Sequence, residues 1–278
     1  MERFIGNPVG EYGAGGAEVI DTAPKGEVLK DRIRDYWNAH IHDLAVARHP
    51  VGTREFFDDL EAYRYEKLHY LPSVVRFDAY RGKSLLEVGC GVGTDLVRFA
   101  RAGARVSGID IAEVSIELAK KNIAYHGGTA DLRVMDGEAL DFSDHSFDVV
   151  YAHGVIQYTA DAERMIGEIH RVLKPGGEAI MMVYNRHSWL NLLSKLMKVD
   201  LEHEDAPVLN KYSIAEFRDL LGPFRDARIV PERFPVKTRL QRGLKATLYN
   251  RLFVGCFHMI PKAITRPTGW HLMAFAYK

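Results

Sequence analysis

Eleven residues constrain this chain more than any others: Leu85-Leu86-Glu87-Val88-Gly89-Cys90-Gly91-Val92-Gly93-Thr94-Asp95. An apolar run of strand length enters a turn with three glycines, and Leu96, Val97 and Phe99 follow at helical spacing. Glycines remove Cβ clashes, so the backbone can approach a ligand while the helix N-terminus aims amide N–H groups at it. The competing reading is an ordinary tight turn, and the flanking sequence has to decide between them.

Short apolar runs alternate with amphipathic segments from here on, the pattern of βαβ units and a parallel α/β sheet. The pattern predicts strands at Ser84–Val88, Arg105–Asp110, Asp131–Met135, Phe147–Ala152, Glu178–Tyr184, Arg228–Phe234 and His271–Tyr277. Helices are expected at Glu113–Tyr125, Ala162–Leu173 and Ile214–Leu221, with Pro175 and Gly176–Gly177 ending the second of them, while Trp189–Met197 reads as a Leu- and Trp-rich segment where the alternation lapses. Residues 1–25 are glycine-rich without a hydrophobic period and read as a mobile arm. Residues 26–80 read as a helical cap, with Ile33, Tyr36 and Trp37 on one face and Phe56, Phe57, Leu60 and Tyr63 on another. The remainder, 81–278, reads as one domain with insertions at about 186–212 and 236–269.

The spacing also selects the ligand. Gly108-Ile109-Asp110 ends the second strand about twenty residues after the turn, where a carboxylate can accept both hydrogen bonds of a ribose diol. Asp110 can equally cap the next helix, and both roles can coexist. A dinucleotide fingerprint needs its third glycine where this chain has Thr94. Glu87, ending an apolar strand two residues before the turn, sits awkwardly beside a pyrophosphate and needs a partner. A nucleoside with an ammonium and no phosphate, such as S-adenosylmethionine, suits the pair better.

These residues resemble the class I S-adenosylmethionine-dependent methyltransferases over most of residues 80–185. The turn matches the family's E-x-G-x-G-x-G motif, with Gly89, Cys90, Gly91 and Gly93 at its centre. By that resemblance Asp110 and Ile111 hold the ribose side, and Asp136-Gly137-Glu138 contacts adenine, although Asp136 can also be a turn residue. Ala152-His153-Gly154-Val155-Ile156-Gln157-Tyr158 matches the active-site loop after the fourth strand, and Arg171 to Gly177 matches the turn before the fifth. The family implies a Rossmann-like seven-stranded sheet, mostly parallel, with an antiparallel last strand that His271–Tyr277 fits. Its final pair is usually a short hairpin, whereas residues 236–269 intervene here. The activity implied is methyl transfer to an O, N or S nucleophile of a small molecule, a phenol, carboxylate, amine, thiol or sulfide. The alternatives are a lipid or quinone methyltransferase at a membrane surface, and a sensor that binds the cofactor without catalysis.

Methyl transfer needs alignment more than acid–base chemistry, so a base is optional. By position His153 and Tyr158 are the catalytic candidates, and His153 also touches the cofactor. The family often has histidine at Gln157, which leaves His153 without an imidazole neighbour there. Tyr36, Trp37, Tyr65, His69, Tyr70, Tyr184 and His187 are candidates for the acceptor pocket, against packing roles for each. His40 and His42, two apart, diverge if helical, so no metal site is expected.

The net charge is zero, with 37 basic and 37 acidic residues, yet nine basic residues and no acidic one follow Glu232. Bulk nucleic-acid binding is therefore not expected. The basic stretch interleaves with Leu240, Leu244 and Leu248, so it fits a membrane surface, an acidic acceptor, the acidic remainder of the chain or a second subunit of a homodimer. Packing against the acidic remainder or a second subunit is the favoured reading. Two cysteines and no basic-then-apolar leader suggest a cytoplasmic protein.

Overall fold

The computed structural model describes residues 25–198, 201, 203–235, 251 and 254–278. Residues 1–24 of the expected arm and 236–250 of the second insertion lie outside the described residues. Seven strands form one sheet: β1 (Ser84–Val88), β2 (Arg105–Asp110), β3 (Ala130–Val134), β4 (Phe147–His153), β5 (Leu173–Tyr184), β6 (Asp226–Glu232) and β7 (His271–Tyr277). Their order is β3-β2-β1-β4-β5-β7-β6, and β7 runs antiparallel to both of its neighbours.

The central strands are apolar on both faces, as a sheet covered on two sides requires. Successive residues alternate between the faces. Leu86, Val88, Val150 and Ala152 share a core with Ile166 and Ile169 of α6 (Ala162–Val172) and Phe217 of α8 (Ile214–Leu220). Leu85, Val149 and Tyr151 share the other with Leu96 and Phe99 of α4 (Thr94–Arg101) and Leu71 and Val75 of α3 (Leu71–Val75). Helix starts are set by side-chain caps: Asp161 accepts from the Arg164 N–H at 2.9 Å, and Ser213 and Glu216 form a capping box on α8.

Three expectations need correction. β5 begins at Leu173, because Lys174-Pro175-Gly176-Gly177 continues the strand through a register shift instead of forming a separate turn. Gly176 carries φ +76°, and the Gly176 and Lys278 amides pair β5 with the C-terminus at 3.1 Å each. β6 ends at Glu232, so Phe234 is not in it; Pro231 is tolerated because this strand lies at the sheet edge. His40 and His42 lie beyond the end of α1 (Lys25–Ala39), not on a helix. His42 Nδ1 instead meets His203 Nε2 at 2.9 Å.

Residues 25–80 contain α1, α2 (Arg54–Lys67) and α3, and they cross the C-terminal ends of β1, β2 and β4. α5 (Glu113–Tyr125) has the expected bounds, the Leu- and Trp-rich segment forms α7 (Trp189–Met197), and α9 (Val254–Met259) and α10 (Lys262–Thr265) precede β7. Among the described residues no helix is long and apolar enough to cross a membrane, and no cluster of His, Cys, Asp or Glu could hold a metal ion.

Candidate active site

A cavity of about 200 Å³ opens where β1, β2 and β4 end under the helical cap. Ligands of open α/β sheets bind outside the carboxyl ends of the strands, at such a crevice. Its floor is the glycine turn. Gly89 and Gly91 hold φ of +68° and +52°, conformations that side chains resist. A Cβ on Gly89 would lie 2.7 Å from Val155 Cγ2, so the turn is locked against the loop after β4. A Cβ on Gly91 would meet no protein atom within 4 Å. Gly93 is the N-cap of α4; it does not line the cavity and faces Ala119.

Three of the carboxylates that face the cavity lie at or just beyond the ends of β2 and β3. Asp110 accepts from the Gly91 N–H at 2.8 Å and the Ala112 N–H at 2.9 Å, which fixes the carboxylate while tying the glycine turn to β2. Burial raises its pKa, and those amide bonds oppose the rise. Asp136 and Glu138 converge on Lys30 of α1, whose Nζ lies 2.6 Å from each. Glu138 is also held by the Thr159 hydroxyl and by the Asp161 N–H at 2.9 Å. A Cβ on Gly137 would lie 2.7 Å from Met165 Cε, so the turn between the two carboxylates is packed tight. Ile111 lines the cavity beside Asp110. Cys90 does too, with its thiol pKa driven up by burial and by Asp110.

Glu87 is the anomaly. It is 4% exposed and lines the cavity, and its Oε2 has no hydrogen-bond partner. Burial, then the negative field of Asp95, pushes its pKa well above the ordinary carboxylate range. Asp95 behaves oppositely. Burial alone would raise it, but it accepts from Arg64 Nε at 2.7 Å, from a second Arg64 nitrogen, and from the Tyr65 and Tyr151 hydroxyls at 2.8 Å each. Its pKa falls to about 2.

The same Arg64 guanidinium approaches His153 Nδ1 at 3.3 Å, and the Tyr70 hydroxyl lies 3.5 Å from His153 Nε2. Burial, then Arg64, lowers the His153 pKa to about 3. Tyr70 continues to His271 Nδ1 at 2.6 Å, and His271 Nε2 faces Arg233 Nη1 at 3.1 Å. His271 is likewise held neutral, by burial first and Arg233 second.

Beyond His153 the cavity wall turns aromatic. Trp37 packs edge-on against Tyr158 with centroids 5.0 Å apart, and the Tyr158 hydroxyl lies 3.4 Å from that of Tyr184. All three line the cavity, with Met182, His271 and Arg233. The other acceptor-pocket candidates do not line it. Tyr36 bonds Asp205 at 2.8 Å on the cap surface, Tyr65 bonds Asp95, Tyr70 is buried behind His153 and His271, and His69 and His187 are exposed. The roles of Lys30, Arg64, Asp95, Arg233 and His271 are not legible in the sequence, because each finds its partner far along the chain; even Asp95, at the end of the glycine motif, carries no sign of Arg64 there.

Residues 86–181 match the family model described as a methyltransferase domain. The chain carries a class I S-adenosylmethionine-dependent methyltransferase domain. Sterol 4-C-methyltransferase strm-1 of Caenorhabditis elegans is 26% identical to it over 237 residues, 84% of this chain and 66% of that protein. Ubiquinone biosynthesis O-methyltransferase of Cereibacter sphaeroides is 37% identical over 162 residues, 55% of this chain and 60% of the relative. The chain thus spans less than two thirds of the length of these curated relatives. Magnesium protoporphyrin IX methyltransferase from Synechocystis PCC 6803, solved with S-adenosylmethionine bound, shares the fold at TM-score 0.57 and 16% identity, covering 93% of this chain and 99% of that one.

The methyltransferase domain has room and charge for that cofactor. Open space over Gly91 admits a ligand against the backbone, and the unpartnered Glu87 carboxyl is suited to an ammonium group. Asp110 and Asp136 line the same cavity. Two neighbouring glycines of the methyltransferase domain should therefore respond differently. Gly89→Ala collides with Val155 and should lower the melting temperature by several degrees. Gly91→Ala carries only backbone strain of about 1–2 kcal/mol, yet its methyl occupies ligand space and should weaken S-adenosylmethionine binding by at least about tenfold. Thermal melts with and without cofactor read both effects.

Proposed function

We propose that the protein transfers a methyl group from S-adenosylmethionine to an O, N or S nucleophile of a small molecule. The carrying observation is a single cavity that runs from the Glu87, Asp110 and Asp136 carboxylates to an aromatic end walled by Trp37, Tyr158 and Tyr184. That wall supports a flat, largely apolar acceptor, consistent with relatives named for a sterol and for ubiquinone biosynthesis. S-adenosylmethionine supplies a methyl carbon already activated by a sulfonium, so the protein's part is to align and to exclude water. Glu87 holds the ammonium, Asp110 the ribose and Asp136 with Glu138 the base, and the helical cap closes the cavity over them.

His153 positions rather than takes a proton. Arg64 faces one ring nitrogen and Tyr70 the other, and a pKa of about 3 makes it a poor base at neutral pH. The acceptor therefore arrives as an anion or as a strong neutral nucleophile. The rate profile should show no inflection between pH 5.5 and 7.5 assignable to His153, and a limb in that window that disappears in His153→Asn would sink this role.

Calorimetry with S-adenosylmethionine and S-adenosylhomocysteine tests the reading. Asp110→Ala removes hydrogen bonds from a charged group, each worth about 1.5–3 kcal/mol, so affinity should drop about a hundredfold. Binding of neither ligand to the wild type refutes the proposal. Binding without turnover across phenol, carboxylate, amine and thiol acceptors would replace it with a cofactor sensor.

A further inference from the structure

Among the described residues Arg233 is a cation without an anion. It follows the last residue of β6 with φ +60°, and this left-handed turn carries its side chain into the acceptor end of the cavity. Among the described residues its guanidinium makes one hydrogen bond, to the neutral His271 imidazole at 3.1 Å. The other cavity-lining cations at that end are answered: Arg64 by Asp95, and Lys67 by Asp43 at 3.2 Å. Glu232, next in the chain, feels Arg266 instead. A guanidinium has five donors in a planar fork, and four remain to be satisfied in a partly buried place where an unpaired charge is costly.

We infer that Arg233 is the anchor for a carboxylate on the acceptor. The inference rests on the proposed methyl transfer and names its substrate class. The fork of a guanidinium matches a carboxylate bidentately, whereas an ammonium on the acceptor would be repelled. Neighbouring groups favour this choice. His271 and His153 are held neutral by burial and by the two arginines, so neither competes with an incoming anion by pairing as a cation. Tyr70 and Tyr184 pack around His271, with its ring stacked at 5.7 Å on Tyr184, so the imidazole that orients Arg233 is itself fixed. Trp37, Tyr158 and Tyr184 then take the apolar body of an aromatic acid while Arg233 takes its charged end.

The test is calorimetry on protein saturated with S-adenosylhomocysteine, using benzoate, phenylacetate and 2-naphthoate as probes against their primary amides. At least one carboxylate should bind at least about tenfold more tightly than its amide. Arg233→Gln should abolish that difference while S-adenosylhomocysteine affinity stays unchanged and the melting temperature does not fall, and Arg233→Lys should restore part of it. Equal binding of acids and amides, no binding by any of the acids, or an undiminished preference in Arg233→Gln would overturn the inference. Retained S-adenosylhomocysteine binding in those cases shows that the cofactor reading stands, whereas loss of it in the wild type is a failure of that reading.

Discussion

Asp95→Ala should lower the unfolding free energy by about 3–5 kcal/mol and the melting temperature by about 10 °C. The carboxylate is buried and gathers Arg64, Tyr65 and Tyr151 from α2 and β4. Its removal strands a largely buried guanidinium and two hydroxyls, and the penalty of unpaired groups exceeds the worth of the contacts themselves. The exposed Arg133–Asp131 pair, with side chains 43% and 44% accessible, is the control: its loss should barely register. The pH dependence carries a sign. The folded pKa of about 2 lies below the unfolded value near 3.9. The contribution of Asp95 is thus complete above about pH 4 and is lost as pH falls through about 2. Denaturant melts from pH 2 to 7 should show this acid limb in the wild type and its loss in Asp95→Ala. A variant as stable as wild type at pH 7 would mean that Arg64 finds another partner.

Arg64 and Asp95 also mark where sequence reading stops. β1, β2 and β7 were legible to the residue, because apolar runs bounded by glycines or by a change of period define their own ends. That the glycine turn, Asp110 and Asp136 lie around one cavity was legible because they are compressed into short motifs at strand ends. Arg64 carries no such mark: on α2 it looks like one more solvated charge in a helix with seven others. Only the crossing of α2 over the end of β4 turns it toward Asp95, 31 residues away in sequence. Tyr65 and Tyr70 stand out in the sequence as polar aromatics, yet nothing there says which polar atom each hydroxyl will find. Arg233 was hidden for a different reason. The apolar pattern ran the strand on to Phe234, and a left-handed residue after Glu232 ends it early and redirects the side chain.

Glu87 should give the second large effect, and in the opposite direction from Asp95. Its pKa is raised by burial, so the free protein carries it as the neutral acid well above the usual carboxylate range. An ammonium entering the cavity reverses that preference. Cofactor binding to the wild type at neutral pH should therefore release a proton, visible as a binding heat that differs between phosphate and Tris buffers. Glu87→Gln keeps the shape of the neutral acid and cannot ionise. It should release no such proton, and it should bind S-adenosylmethionine about 10–100-fold more weakly through the lost charge-assisted bond. Without cofactor the sign inverts. A group whose folded pKa is raised destabilises the fold progressively as pH rises above its unfolded value near 4.3. Glu87→Gln should then match the wild type near pH 4 and melt at a higher temperature than it by pH 8, with the gap closing when S-adenosylmethionine is added. Equal proton release in both proteins would assign the titration elsewhere. A variant that is less stable at pH 8 would show that the carboxylate already has a partner in the free protein.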